Sequence, residues 1–449
     1  MARAPGARSG RRRSSLVSPW PLPAADPEAA GFSAARLARL HALLDRTVEE
    51  GTRSGYVALL ARDGKVVDWW ASGYRDAVAR TPLARDDVFR VFSMTKILTS
   101  VAALSLLEEG RLRLEDPVGR FLPALSVPQV LAGGTAEAPV LAPAARAITI
   151  RDLLTHTAGF TYADNGPAAL EPFWQRGDPF RAEDLDGFVA RAAALPLAHQ
   201  PGTAFHYGIS TDLLGAVIEK AAGQGLDAVL AERITRPLGL RDTAFFVPEA
   251  QRGRLALIHQ RGPDGRLALE TWFNAKRPTA ARGLREGGGG LFSTAPDYLR
   301  FAQMLLEGGA LGGVRVLSRK SVEIMTRDHL SVLADPHPAG SPLESRAFGF
   351  GLGVRVVTDL GQSATLGSPD AFGWEGMAST LVRIDPRERL AAMVLFQHLP
   401  YDEGGLFATF LNGVYEALEG RRWRSASRTS GPPQRPKVPA RRRRRVGGG

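Results

Sequence analysis

Ser93 and Lys96 stand three residues apart in the stretch Val88-Phe-Arg-Val-Phe-Ser93-Met-Thr-Lys96, a spacing that can make a nucleophile. A serine hydroxyl attacks poorly until a base takes its proton, and a neutral lysine amine can be that base where burial lowers its pKa from the solution value of about 10.4. One helical turn separates the two positions, so both side chains project from one face. The segment Ile97–Leu107 that follows is apolar nearly all round, the pattern of a buried helix. Ser93 falls where that helix should begin and is expected to cap it, because a serine side chain satisfies free backbone N–H groups there. The pair would then sit at a dry helix N-terminus, where backbone N–H groups favour developing negative charge. Of the six lysines, only Lys96 has a serine three residues before it.

A serine nucleophile needs a second proton-handling group. No Gly-x-Ser-x-Gly elbow is present. The better candidate is Tyr207, in Phe205-His206-Tyr207-Gly208-Ile209-Ser210, a short extended piece that delivers the phenol to the edge of a helix. His156, in Thr155-His-Thr-Ala-Gly-Phe160, reads as a buried, hydrogen-bonded structural histidine. With no cysteine and no His-x-x-x-His pair among eight histidines, neither a metal site nor a cofactor is expected. Gly287–Gly290 resembles a phosphate-cradling loop only in its glycine count; no Lys-Ser/Thr follows, so it reads as a turn.

The elements that must position these residues are strands at both ends and helices between. Ala34–Glu50 has helical spacing, and residues 55–73 form two strands around an Asp63-Gly64 turn. The helix after Ser93 ends at Gly110, Val127–Ala147 reads as a surface loop, and helices follow at Ile148–Leu154, Thr211–Ala222 and Leu226–Ile234. Thr294-x-x-Asp297 starts a helix that runs to Glu307-Gly-Gly309. Phe348–Val357, Met377–Ile384 and Leu390–Gln397 read as strands, and Leu406–Leu418 as a closing helix. The fold class is α/β (α+β): one antiparallel sheet built from both chain ends, flanked by helices, with a mostly helical region inserted.

Both ends differ from the body. Residues 1–20 and 421–449 carry sixteen Lys and Arg and no acid, more than the whole chain's formal +11, so residues 21–420 are net acidic. Pro, Gly, Ser and Arg dominate these ends, which have too little apolar content to offset ordering entropy. We therefore expect disordered tails at 1–27 and 421–449 around one domain at 28–420. The run Arg441–Arg445 is capable of weak contact with nucleic acid or an anionic surface without specificity. No 18-residue apolar run spans a membrane, and Arg11-Arg12-Arg13 leads into a Pro-broken stretch too short for an export signal; the expectation is cytoplasmic. Oligomeric state is not legible.

Taken together, Phe92-Ser-Met-Thr-Lys96, Leu153-Leu-Thr-His-Thr-Ala-Gly-Phe160, Pro201-Gly-x-x-Phe-x-Tyr207, Leu213–Glu219, Pro237-Leu-Gly-Leu240, Gly288–Thr294 and Gly373-Trp-Glu-Gly376 resemble the serine β-lactamase and penicillin-binding-protein superfamily. The resemblance spans about residues 28–420 and is to the class C-like branch that includes the family VIII carboxylesterases. It implies that Ser93 is the acylated nucleophile, Lys96 the adjacent base and Tyr207 the phenol exchanging protons with nucleophile and leaving group. It also implies that Gly376 matches the glycine of a Lys-Thr-Gly strand, so that the backbone N–H groups of Ser93 and Met377 form the oxyanion hole. Two departures turn the expectation from lactams to esters. Tyr207-Gly208-Ile209 replaces Tyr-x-Asn, putting Ile209 where an amide would meet substrate, and Trp374-Glu375-Gly376 replaces Lys-Thr-Gly, as in the esterases. Glu375 would repel a lactam carboxylate if it faced the pocket, leaving Arg383 as the residue to hold one. The expected activity is a serine hydrolase working through an acyl-enzyme on short-chain or small aromatic esters. The rivals are a β-lactamase, a D-amino-acid peptidase, an acyltransferase, or a catalytically inactive binding protein of the same fold.

Overall fold

The computed structural model describes residues 22–419 apart from 281–282, 334–335, 337–340, 342 and 344. The expected basic tails thus lie outside the described residues, except for 22–27. Those residues are not a tail: Leu22 is buried in the core, and Ala25 N–H donates to the Val66 carbonyl at 2.8 Å. The chain packs onto the sheet earlier than its Pro-rich composition indicated, because a short extended piece can borrow hydrogen bonds from the edge of β2.

The strands of the central sheet and of the pair that leads to Ser93 are, in chain order, β1 Gly55–Arg62, β2 Lys65–Asp76, β3 Thr81–Pro82, β4 Phe89–Arg90, β5 Phe292–Ser293, β6 Phe348–Phe350, β7 Arg355–Val357, β8 Phe372–Gly376, β9 Thr380–Asp385 and β10 Leu390–Phe396. Among the described residues, the central sheet has eight strands in the order β6-β7-β8-β9-β10-β1-β2-β3, and its neighbours pair antiparallel. β1 therefore bridges the two ends of the chain, as the distribution of strands indicated. The stretch Phe348–Val357 is not one strand but a hairpin, β6 and β7, turned at Gly351–Gly353, where Gly353 has φ +85°. Similarly, the expected loop at Val127–Ala147 contains an exposed hairpin, Gln129–Gly134 paired with Pro139–Pro143.

The helices that matter for the site are α1 Ala34–Glu49, α2 Thr95–Glu108, α3 Ser210–Ala222, α4 Ala295–Leu306 and α5 Leu406–Glu416. The period of two along β1 and β10 divides the core. Tyr56, Ala58 and Leu60 with Val394 and Phe396 face the stripes Leu37, Leu40, Leu44 of α1 and Phe407, Phe410, Val414 of α5. There Gly413 lies so close to α1 that a Cβ would come 2.7 Å from Leu40 Cδ1. Val57, Leu59 and Ala61 with Met393 and Leu395 point the other way, into the core shared by α4, α2 and the inserted helical region. Every α2 residue from Thr95 to Leu106 is buried, which accounts for its lack of a polar face.

Candidate active site

β4, paired with β5, carries the chain to Val91, whose N–H donates to the Leu291 carbonyl. Phe92 then takes a left-handed conformation, φ +43°. That conformation is costly for a bulky residue, on the order of 1 kcal/mol or more. Ser93 lies in a single 3₁₀ turn, Phe92–Met94, and α2 starts only at Thr95. The expected N-cap is therefore absent: the Ser93 side chain caps no backbone N–H. Its Oγ faces Lys96 Nζ instead, at 3.2 Å. The turn is held from below, with Tyr298 OH donating to the Met94 carbonyl at 2.8 Å and Leu291 N–H to Thr95 Oγ1 at 3.1 Å.

Lys96 is fully buried and has three partners: Ser93 Oγ, Tyr162 OH at 3.0 Å and the Gly288 carbonyl at 2.7 Å. The last belongs to the glycine run read from sequence as a plain turn. It threads between α2 and α3 so tightly that a Cβ on Gly287 would come 2.7 Å from the Thr211 carbonyl, and one on Gly288 2.5 Å from Asp212 Oδ2. Side chains are excluded there so that carbonyls can reach Thr99 Oγ1 and Lys96 Nζ. Asp212, buried on α3, accepts the Gly288 N–H at 2.8 Å and has no partner on Oδ2. Burial raises its pKa to about 6, against the opposing pull of Lys96.

The phenol bonded to Lys96 is Tyr162, not Tyr207. Desolvation holds Tyr162 well above the ordinary tyrosine range, as does the proximity of Tyr207 and Asp212, so it remains a protonated phenol. Tyr207 presents its ring to the amine, 4.8 Å from Nζ to the centroid, while its hydroxyl accepts a hydrogen bond from Trp374 Nε1 at 3.0 Å. Asn165 links the two tyrosines: its Oδ1 accepts the Tyr162 N–H and its Nδ2 donates to the Tyr207 carbonyl. His156 lies beneath, 4.9 Å from the Tyr207 ring and fully buried, with desolvation and the Lys96 charge holding its pKa well below normal. It is a neutral supporting histidine, as expected. Sequence reasoning missed Tyr162, Asn165 and Asp212. Tyr162 follows the Leu153–Phe160 motif by two residues, and Asp212 opens the helix after Tyr207, but neither carries a spacing signature of its own.

At the end of β8, a Cβ on Gly376 would meet the Val91 carbonyl at 2.4 Å, and Thr380 Oγ1 donates to that same carbonyl at 3.3 Å. The turn beginning at Met377, whose side chain is exposed, is thereby fastened to the segment that ends in Ser93. Trp374 is buried against Tyr207 and Phe350. Glu375 does not act as a free charge, because it forms an ion pair with Arg355. Ile209 is fully buried in the core and offers no surface to a substrate. Arg383 pairs in register with Gly373, one residue out of phase with Trp374, so it belongs to the far face of the sheet, where burial lowers its pKa against the pull of Tyr415 and Asp385. Among the described residues, no group of acidic residues and histidines is arranged to hold a metal ion, and no helix is long and apolar enough to cross a membrane.

Comparison with known proteins places this arrangement. Residues 40–412 match the Beta-lactamase family model. The chain is 37% identical over 356 residues to Protein Rv1367c of Mycobacterium tuberculosis, covering 78% of this chain and 88% of that protein. It is 31% identical over 391 residues to Esterase EstB of Burkholderia gladioli, covering 82% and 93% respectively. Among solved structures it resembles EstCE1, a hydrolase with promiscuous acyltransferase activity, with a TM-score of 0.72 and 27% identity over 85% of this chain and 98% of that one.

Proposed function

The chain belongs to the Beta-lactamase family, and from that premise we propose that it is a serine hydrolase of carboxylic esters acting through an acyl-enzyme on Ser93. The observation that carries the reading is the set of partners around Lys96. A neutral amine has two N–H donors and one lone pair. For the amine in that form, the Gly288 carbonyl can only accept and Tyr162 OH takes the second N–H, which would leave the lone pair for the Ser93 hydroxyl 3.2 Å away. Ser93 Oγ attacks the ester carbonyl as its proton passes to Lys96. The developing oxyanion is met by the backbone N–H groups of Ser93 and Met377, a role supported by the contact of Gly376 with Val91. Tyr207, whose oxygen already accepts from Trp374 Nε1, keeps its own O–H to protonate the departing alcohol. Water then repeats the sequence in reverse on the acyl-enzyme.

Esters are favoured over β-lactams because the position of a carboxylate-binding lysine is held by Trp374, while Glu375 is bound to Arg355. Missing donors at about 1–3 kcal/mol each give a preference of roughly 10²–10⁴ in kcat/KM. Transfer of the acyl group to an alcohol in place of water uses the same intermediate, and the named activity of EstCE1 favours it as a second outcome. The test is turnover of p-nitrophenyl butyrate and nitrocefin by wild type and Ser93→Ala, with mass spectrometry after fluorophosphonate treatment. We expect one adduct, on Ser93, and no ester turnover by the variant. An active Ser93→Ala protein would end the reading.

A further inference from the structure

A cavity of about 250 Å³ opens between Phe92, the residue before the nucleophile, and Phe273, Leu284 and Phe292. Phe92 immediately precedes Ser93 and meets Phe273 edge-on at 5.2 Å; Phe273 meets Trp272 edge-on at 4.6 Å, and Trp272 is 58% exposed. An aromatic wall thus runs from the residue before the nucleophile to the surface. Its charges are unusual for an apolar slot. Arg90, Lys276 and Arg277 line it against a single carboxylate, Glu286. Lys276 is already paired with Glu286 at 2.6 Å, so three cations share one lining carboxylate, and Arg90 feels Glu286 and Glu270 without an ion pair to either.

Arg90 is only 8% exposed. Its main chain is clamped in both directions by Gln397, its Nη2 donates to the Lys276 carbonyl at 2.6 Å, and its guanidinium lies 4.6 Å from the centre of the Phe292 ring. The Nε has no hydrogen-bond partner. A buried charged donor left unbonded is unfavourable, and a planar carboxylate is the group whose geometry a guanidinium matches best.

We propose that this cavity is a subsite for an apolar or aromatic substituent ending in a carboxylate, held by Arg90 and Arg277, so that the favoured esters carry an acid remote from the scissile bond. The substrate part of this inference rests on the serine hydrolase reading above; the binding part stands apart from it.

The experiment therefore measures binding first. The full chain is titrated calorimetrically with 4-phenylbutyrate and with 4-phenylbutanamide, in wild type, Ser93→Ala, Arg90→Gln and Arg277→Gln. The acid is expected to bind about tenfold tighter than the amide in wild type and Ser93→Ala, and the two ligands equally in the arginine variants. The acid-to-amide ratio within each variant is the readout, so a general loss of affinity cancels. Arg277 is exposed, so Arg277→Gln carries the test if Arg90→Gln fails to fold. Equal affinity in wild type, or binding of neither ligand, overturns the proposal. Two ester pairs then locate the acid: mono-p-nitrophenyl glutarate against its methyl ester, and 4-(butanoyloxy)phenylacetate against its methyl ester. One pair should favour the free acid about tenfold in kcat/KM. No preference in either pair overturns the substrate assignment even if binding discriminates. Binding of the acid without turnover of any ester would instead remove the hydrolase reading and leave the subsite.

Discussion

On the face of the sheet covered by α1 and α5, three polar groups are each matched to a carboxylate: Arg62 with Glu388 at 2.7 Å, Tyr56 OH with Asp45 at 2.7 Å, Tyr415 OH with Asp385 at 2.8 Å. The cluster around Lys96, beyond the opposite face, is arranged differently. One amine is shared among three oxygens, and one carboxylate oxygen, Asp212 Oδ2, has no partner. Both faces are equally well buried, so burial alone does not mark a site. A group matched to a carboxylate in this way is committed to holding the fold, whereas one with shared or spare hydrogen-bonding capacity can change partners during a reaction.

The contrast is open to test, beginning where the effect should be largest. Lys96→Ala and Tyr207→Phe should each lower kcat/KM for p-nitrophenyl butyrate by roughly 10³-fold, because these groups act with Ser93 as a unit; a loss under tenfold would mean that the inner cluster is as passive as the outer face. On that outer face, Phe410→Ala should lower the unfolding free energy by about 3–5 kcal/mol in urea titrations and leave kcat of the folded protein unchanged. A proportional fall in kcat would erase the distinction between the faces.

Asp212→Asn probes the spare carboxylate through pH. Its carboxyl titrates at about 6 when folded, against an ordinary value of 3.8, so the native protein binds that proton more tightly than the unfolded chain. The resulting stability is full below about pH 4 and is lost as pH rises through 6. Relative to Asp212→Asn, wild type should therefore lose on the order of 3 kcal/mol between those limits, read from chemical denaturation at several pH values. A constant difference across the window would show that Asp212 is compensated like the outer carboxylates. The smallest effect is expected from Trp374→Phe. It removes the donor to Tyr207 OH and should reduce kcat roughly tenfold, for about 1 kcal/mol or slightly more. No change in kcat would make Trp374 a packing residue only.

Ser93, Lys96 and the sheet were legible because each rests on a local pattern: a spacing of three, an apolar helix, alternating strands. What escaped reading depends on the backbone. Phe92 turns left-handed, which moves Ser93 out of the cap position, and a bulky aromatic gives no sign of that. Tyr162, which bonds Lys96, went unnoticed beside Tyr207, because no spacing rule marks the second of two tyrosines that meet only in the fold, 5.5 Å apart. The hairpin of β6 and β7 was read as one strand although its glycines at 349, 351 and 353 held the clue, and Glu375 looked repulsive because Arg355 lies 20 residues away in sequence.

The strand order has a consequence for how the protein is made. β1 leaves the ribosome well before its neighbour β10, which begins more than 300 residues later, at Leu390. Until then the nascent hairpin of β1 and β2 presents a largely apolar strand with an open edge, a surface prone to pairing with other chains. Ser93 and Lys96 are also synthesised long before Trp374 and Met377. A chain stalled between them would hold the nucleophile and its base without the turn that completes their surroundings, so activity and protection from aggregation should arrive together, with the synthesis of β8 to β10.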